Sequence, residues 1–118
     1  LERTPRAMKN LKKIEQRIED LREQLSRIGN MRPGTLSTQY RKPAEQKQPF
    51  HQISYTRKGK SRSEYVRAEN LNAVKKEISA YKRFRDINER LIDLSIEASR
   101  IRCRAKTLLK DPSNRPHP

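Results

Sequence analysis

The chain has 118 residues, of which 29 are Lys or Arg and 14 are Asp or Glu, so its formal net charge is +15. Only 31% of the residues are apolar and none is Trp, which excludes a broad globular core but allows a narrow apolar seam between helices or protomers. A charge of this size favours a polyanion as partner, and a nucleic acid is expected ahead of a scaffold role or an acidic protein or membrane surface. We interpret residues 1–118 as a single domain.

Residues 5–29 are predicted to form the first helix. Thr4-Pro5 is typical of a helix start, and Gly29-Asn30 is typical of a helix end. Acidic and basic residues alternate along the segment, as on the solvated face of a coiled coil. The apolar residues follow one another at steps of three and four, which predicts a heptad seam: Leu11, Ile14, Ile18, Leu21, Leu25 and Ile28.

The middle of the chain, residues 35–67, lacks a helical period and is predicted to be a β-region. "TLSTQYRK" (35–42) is rich in β-forming residues and is a candidate first strand, and "PAEQKQP" (43–49) is a polar loop between prolines. Two further β-like runs, 50–57 and 60–67, meet at Lys58-Gly59, which suits the tight turn of a hairpin.

A two-residue turn at Lys58-Gly59 would place Ile53, Tyr55 and Val66 on one face of the hairpin, against the helices. The opposite face would carry mostly hydroxyl, amide and aromatic side chains: Phe50, Gln52, Ser54, Thr56, Ser61, Ser63, Tyr65 and Arg67. Such a face suits the major groove of duplex DNA, whereas its two aromatic residues suit unpaired bases. The alternative is the polar surface of a small sheet that only meets water; nucleic-acid contact is expected ahead of it, and the sequence does not decide between duplex and unpaired bases.

Residues 69–110 are predicted to form a second, longer helix, followed by an extended tail over 111–118. Its first apolar seam is Leu71, Val74, Ile78 and Tyr81, and a second seam begins at Phe84 after a step of three where four is expected. We expect the first helix to pair with the first part of this helix. The later seam would then lack a partner within the chain, which predicts an oligomer interface or burial against a larger protein: Leu94, Ala98, Ile101, Ala105 and Leu108.

These elements predict an α+β fold that is mostly α. An antiparallel coiled-coil hairpin of long helices would carry a small two- or three-stranded antiparallel β-sheet inserted between the helices. Basic residues gather without acids at the hairpin tip and near the end of the second helix. The candidate nucleic-acid-binding residues are Tyr40, Arg41, Lys42, Arg57, Lys58, Lys60, Arg62, Tyr65, Arg67, Arg100, Arg102, Arg104 and Lys106.

Enzymatic function is not expected, because the sequence contains no nucleophile constellation and no Gly-rich phosphate loop. His51 and His117 are its two histidines, and the acidic residues of the second helix alternate with basic ones as in helix salt bridges. Cys103 is the single cysteine, no apolar run has the length of a membrane span, and no signal-peptide segment is visible. We therefore expect no metal or other cofactor, no membrane partner, and a location in the reducing cytoplasm.

Three stretches of the chain resemble a family of small, uncharacterised prokaryotic proteins. They are "MRPGTLSTQYRK", "FHQISYTRKGKSRSEYV" and "LNAVKKEISAYKRFRDINERLIDL", and they are similar to a "YRK" strand, a "GKTRSRYV" hairpin and a long "YRRFREL" helix across about residues 21–100. The family usually has a cysteine cluster after "YRK", where this chain has "PAEQKQP", so no metal role is carried over. The resemblance implies a cytoplasmic or nucleoid protein of a prokaryote, often linked to mobile elements or phages.

Two functions are consistent with these patterns. The first is a nucleic-acid-binding accessory protein that acts as an oligomer on DNA or RNA. The second is a coiled-coil assembly or adaptor subunit of a larger protein or ribonucleoprotein complex, in which the seam of the second helix would matter more than the charges of the hairpin.

Overall fold

The computed structural model describes residues 6–110, and their side chains as far as Thr107. The elements in chain order are α1 (Arg6–Ser26), β1 (Thr35–Lys42), β2 (Lys47–Arg57), β3 (Lys60–Val66) and α2 (Leu71–Lys110), with single 3₁₀ turns at Pro43–Glu45 and Ala68–Asn70. This architecture confirms the predicted α+β class, with a three-stranded sheet between two helices. Thr4-Pro5 and the tail over 111–118 lie outside the described residues.

The described chain divides into two compact units, and each is described by itself. The helical unit combines residues up to Arg27 with those from Asp86 onward, and the sheet unit comprises Ile28–Arg85. α2 contributes its first part to the sheet unit and its second part to the helical unit. The boundary at residues 85 and 86 directly follows the predicted break in the apolar period between Tyr81 and Phe84.

The sheet unit contains an antiparallel sheet in the order β1-β2-β3. The predicted hairpin register is confirmed, since Arg57 pairs with Lys60 and Ile53 with Glu64. Lys58 and Gly59 both have positive φ values, 52° and 77°, which is typical of the type I′ turn that matches the twist of two-residue hairpins. "TLSTQYRK" pairs as the third strand, whereas the predicted loop at 43–49 is shorter, because β2 already begins at Lys47.

One face of the sheet packs against the first part of α2. Ile53 is fully buried at the centre of a cluster with Val66 from β3 and with Val74 and Ile78 from α2. Leu36 of β1 packs against the same cluster. It pairs with Ile53, so the two side chains lie on the same face of the sheet. The alternation of apolar and polar residues in the strands therefore marks a sheet with one covered face.

The helical unit is formed by α1 and the second part of α2. Its core joins Leu11, Ile14 and Ile18 of α1 to Ala98 of α2, whose side chain is completely buried. Four partly buried residues pack against this core: Met8, Leu91, Leu94 and Ile101. Arg102 donates a hydrogen bond to Glu15 (Nη1 to Oε2, 3.4 Å), and Leu21 lines a groove together with Leu94, so the two helices run antiparallel.

The expectation that α1 pairs with the first part of α2 is wrong. The sheet has an apolar face that must be covered, and the helix that directly follows β3 covers it with Leu71, Val74 and Ile78. α1 therefore pairs with the later seam of α2. The argument that this seam lacks a partner in its own chain is also wrong, because Leu94, Ala98 and Ile101 belong to the α1 contact.

The oligomer itself stays a prediction, but it no longer has the support of an unpaired seam. Ala105 is half-buried in the helical unit, and the side chain of Leu108 lies outside the described residues. Neither described helix contains an apolar stretch long enough for a membrane crossing.

Candidate nucleic-acid interface

The sheet turns its second face away from the covering helix. We call this surface the free face. In the alternation fixed by the strand pairings, it comprises Thr35, Ser37, Gln39, Arg41, Phe50, Gln52, Ser54, Thr56, Ser61, Ser63 and Tyr65. None of these described residues is acidic, so the free face presents a neutral to basic surface to a polyanion.

Hydroxyl groups on the free face hydrogen-bond to one another across the hairpin. Ser54 Oγ lies 3.2 Å from Ser63 Oγ, and Thr56 Oγ1 lies 3.3 Å from Ser61 Oγ. Such cross-strand pairs stabilise a hairpin and use part of the hydrogen-bonding capacity of each hydroxyl. This half of the free face is therefore polar but partly self-satisfied.

The other half of the free face carries its aromatic residues. Tyr65 of β3 is 60% exposed. It pairs with Gln52 of β2, and Phe50 lies two residues before Gln52 on that strand. The guanidinium of Arg41 lies over the ring of Phe50, with Cζ 5.5 Å from the ring centroid, a geometry typical of a cation–π contact. The sequence predicted the shared face of Phe50 and Tyr65, and Arg41, a candidate binding residue on the predicted first strand, extends that face from β1.

The hairpin tip carries four basic side chains that line one groove. We define the hairpin tip as Arg57, Lys58, Lys60 and Arg62; with Tyr55 these residues line a surface groove of about 400 Å³. Arg57, Lys60 and Arg62 stand on the same side of the sheet as Tyr55, because Tyr55 pairs with Arg62 and Arg57 pairs with Lys60. The tip is therefore a concentrated positive site within reach of a single phosphate backbone.

A second groove adjoins the hairpin tip and adds two basic residues from α2. Lys82 and Arg85 line it together with Tyr55, which belongs to both grooves. We define the basic end as the hairpin tip with Lys82 and Arg85. Sequence analysis missed these two residues, because the helical period does not reveal which turn of α2 lies beside the tip.

Glu64 is the one acidic residue in the three strands, all of which lie in the described range. It forms a salt bridge with Arg32. Arg32 also lies over the ring of Tyr55 (Cζ to centroid 5.7 Å), and its backbone N–H donates to the carbonyl of Glu77 at 3.0 Å. Glu64, the acidic residue nearest to the hairpin tip in sequence, is thus neutralised by Arg32. The basic end therefore keeps its excess positive charge.

Three of the predicted binding residues lie in the sheet unit far from the basic end. Tyr40, Arg41 and Lys42 are at the opposite end of the sheet, since Lys42 pairs with Lys47, ten residues before Arg57 on β2. At about 3.3 Å per residue this separation is roughly 33 Å. "YRK" does belong to the third strand, and it places Arg41 on the free face beside Phe50, whereas Tyr40 and Lys42 stand on the opposite face.

Four predicted binding residues belong to the helical unit: Arg100, Arg102, Arg104 and Lys106. All four are exposed, and Arg102 is bound to Glu15. Arg67 follows β3 in the sheet unit, where its guanidinium Nη1 lies 3.6 Å from Glu69 Oε1. Within the described residues, no three His, Cys, Asp or Glu side chains lie close enough together to hold a metal ion.

Comparison with known proteins identifies the family. A family model described as "Domain of unknown function (DUF6788)" matches residues 11–76, which is more than half of the chain. The matched range contains the whole β-sheet and the first turns of α2, and an uncharacterised family agrees with the resemblance noted in the sequence. No curated protein and no solved structure matches the chain significantly. The chain therefore belongs to the family of the domain of unknown function DUF6788.

Proposed function

We propose that the chain is a nucleic-acid-binding accessory protein whose basic end holds the phosphate backbone. One observation carries the proposal: six basic side chains from the hairpin and α2 line two adjoining grooves around Tyr55. The only acid of the strands, Glu64, is already paired with Arg32. Phosphate contacts of this kind supply most of the affinity of nucleic-acid-binding proteins and do not depend on base sequence.

The conformation of Lys58 adds support. Its φ of 52° lies in the left-handed region, where Asn and Gly are favoured over a Lys side chain, at a cost of about 1 kcal/mol. The turn therefore does not require a lysine at this position, and the residue presents a positive charge at the apex of the hairpin, where a phosphate could bind.

The cellular setting belongs to the same proposal. We infer an accessory role in a mobile element or phage, in the cytoplasm or on the nucleoid of a prokaryote, with the chain acting as an oligomer. This setting is supported by the resemblance of the three stretches "MRPGTLSTQYRK", "FHQISYTRKGKSRSEYV" and "LNAVKKEISAYKRFRDINERLIDL", and by the net charge of +15.

Lys58→Asn provides the cleanest test of the basic end. Because the backbone of residue 58 favours Asn, the variant loses one charge without a folding penalty. We expect weaker binding to fluorescein-labelled single-stranded DNA, duplex DNA and structured RNA in anisotropy titrations, with a thermal midpoint at or above that of the wild type. Lys12→Gln removes the same charge from an exposed site on α1 and should leave the affinity nearly unchanged.

The salt dependence of binding gives a quantitative check. Neutralising all four residues of the hairpin tip, by Gln at three positions and Asn at Lys58, removes up to four phosphate contacts. The slope of log K against log salt concentration is negative, and its magnitude should then decrease by about 2.8 for a single strand or about 3.6 for a duplex. An unchanged slope, or no binding of any of the three nucleic acids at low salt, would contradict the proposal.

A second candidate function is an assembly subunit of a larger complex. One observation favours it: Ile92 and Ile96 are 52% and 47% exposed, one turn apart on α2 and outside the contact with α1. An apolar pair of this kind suits a protein partner. This function predicts that charge removal at the hairpin tip leaves the activity of the protein intact.

A further inference from the structure

The free face has two unlike halves, and the basic end explains neither. The half near the hairpin tip is lined with hydroxyl pairs, and the far half carries an aromatic pair with an arginine. Phe50 and Tyr65 stand on adjacent strands as diagonal neighbours across Gln52, which places their side chains within about 8 Å of each other.

The aromatic half combines two rings with the positive charge of Arg41. Tyr65 is 60% exposed although it is the largest side chain on β3. Arg41 lies with Cζ 5.5 Å from the centroid of Phe50, so a guanidinium plane and two rings share one side of the sheet. Phe50 is half-buried beneath Arg41, whereas the exposed ring of Tyr65 gains little for the fold in water. Rings and guanidinium planes are the groups on which bases stack.

We propose that Phe50, Tyr65 and Arg41 form a platform on which unpaired bases of a DNA or RNA strand stack. The inference rests on the proposed function, and it specifies the form of nucleic acid. Aromatic residues on adjacent strands of an open sheet are a recurrent device for holding single-stranded nucleic acids, because every base has a π-face.

The structure favours unpaired bases over the edges of a duplex for two reasons. First, bases in a duplex are stacked on each other and offer only their edges, which need free donors and acceptors. The hydroxyl pairs Ser54–Ser63 and Thr56–Ser61 already engage each other. Second, the aromatic pair has no role in reading base edges, whereas stacking uses the exposed ring of Tyr65 directly.

The platform and the phosphate site lie on opposite faces of the sheet. Phe50 and Arg57 are seven residues apart on β2, or roughly 23 Å at about 3.3 Å per residue, and an odd separation places their side chains on opposite faces. A single strand stacked at the platform would therefore follow the serine and threonine rows of the free face and pass around the hairpin tip to reach the basic end.

Variants of Tyr65 test the platform without threatening the fold, because the side chain is mostly exposed. The probes are fluorescein-labelled oligothymidylate and oligouridylate of about 12 nucleotides, a range typical of small single-strand sites, and a DNA duplex of equal length. Tyr65→Ala should weaken binding of the single strands on the order of 5- to 100-fold and leave duplex binding within about twofold. Tyr65→Phe, which keeps the ring and loses the hydroxyl, should bind like the wild type.

A spectroscopic measurement separates stacking from a general loss of affinity. The chain contains no Trp, so Tyr65→Trp introduces a unique fluorophore at the platform. We expect its emission to be quenched by oligothymidylate or oligouridylate and to change little with the duplex. Ser99→Trp, at an exposed position of α2 in the helical unit, is the control and should show no quenching by the single strands.

The outcomes distinguish this inference from the proposed function. Equal losses for Tyr65→Phe and Tyr65→Ala, parallel losses for single strands and duplex, or an unquenched Trp at position 65 would overturn the platform. The basic end would still stand if the hairpin-tip variants weaken binding. No binding of any probe by the wild type would overturn both. Binding of oligothymidylate alone, or of oligouridylate alone, would support the platform and identify the strand as DNA or RNA.

Discussion

Substitution of Gly34 by Ala should destabilise the sheet unit strongly, because two separate effects act at this residue. Gly34 has a φ of +147°, a conformation that side chains rarely adopt and that costs an L-residue about 1–3 kcal/mol. A Cβ atom there would lie 2.5 Å from Cγ1 and 2.7 Å from Cδ1 of Ile53. Ile53 is fully buried and has no open space into which to move, so overpacking adds about 1–3 kcal/mol.

The three glycines of the chain form a matched series that separates these two effects. Gly59 has a φ of +77° and nothing within 4 Å of an added Cβ, and Gly29 has neither a positive φ nor a close neighbour. Substitution by Ala should therefore cost less than about 0.5 kcal/mol at Gly29, about 1–2 kcal/mol at Gly59 and about 2–6 kcal/mol at Gly34.

Urea unfolding followed by circular dichroism measures the three free energies of unfolding. Equal losses for Gly34→Ala and Gly59→Ala would show that the contact with Ile53 contributes nothing. A double-mutant cycle with Ile53→Ala adds a check, since removal of Cγ1 and Cδ1 should relieve the overpacking at Gly34. We expect the double variant to be about 1–3 kcal/mol more stable than the sum of the single losses predicts.

Two further predictions concern the helical unit. Ala98→Leu should lower the free energy of unfolding by about 1–3 kcal/mol through overpacking against α1. Ser99→Leu, on the exposed side of the same turn, should change it by less than about 0.5 kcal/mol. If Ala98→Leu leaves thermal unfolding unchanged, the pairing of α1 with the second part of α2 is refuted. The chain is expected to self-associate through Ile92 and Ile96, so the double substitution of both by Ser should reduce the mass in light scattering to that of one chain. A wild type that is already monomeric would rule out this contact.

Local features of the sheet could be predicted from the sequence because they depend on neighbouring residues. The Lys58-Gly59 turn determines the pairing of β2 with β3, and a two-residue period then assigns each side chain to a face. "TLSTQYRK" was predicted as a strand and forms β1 with the same bounds. The grouping of Phe50 with Tyr65 on one face follows from the same alternation.

The composition of the candidate interface could be predicted only in part. The hairpin tip was visible as a run of basic residues along the chain. Lys82, Arg85 and Arg32 were not visible, because their proximity to Tyr55 depends on where α2 and the loop before β1 pack. The distance of "YRK" from the hairpin tip was not visible either, since only the antiparallel pairing of β1 with β2 places it at the other end of the sheet.

The sequence by itself determined the two helices, the three strands, the hairpin register and the excess of positive charge. Each of these depends on the backbone period, on turn chemistry or on composition, which act over a few residues. Only the tertiary structure decided which half of α2 packs on the sheet and which half packs on α1. Apolar seams attract one another without direction, so the heptad pattern of α1 suited both halves. The apolar face of the sheet resolved the choice. Ile53 and Val66 on that face had to be buried, and the first turns of α2 were the nearest apolar surface along the chain.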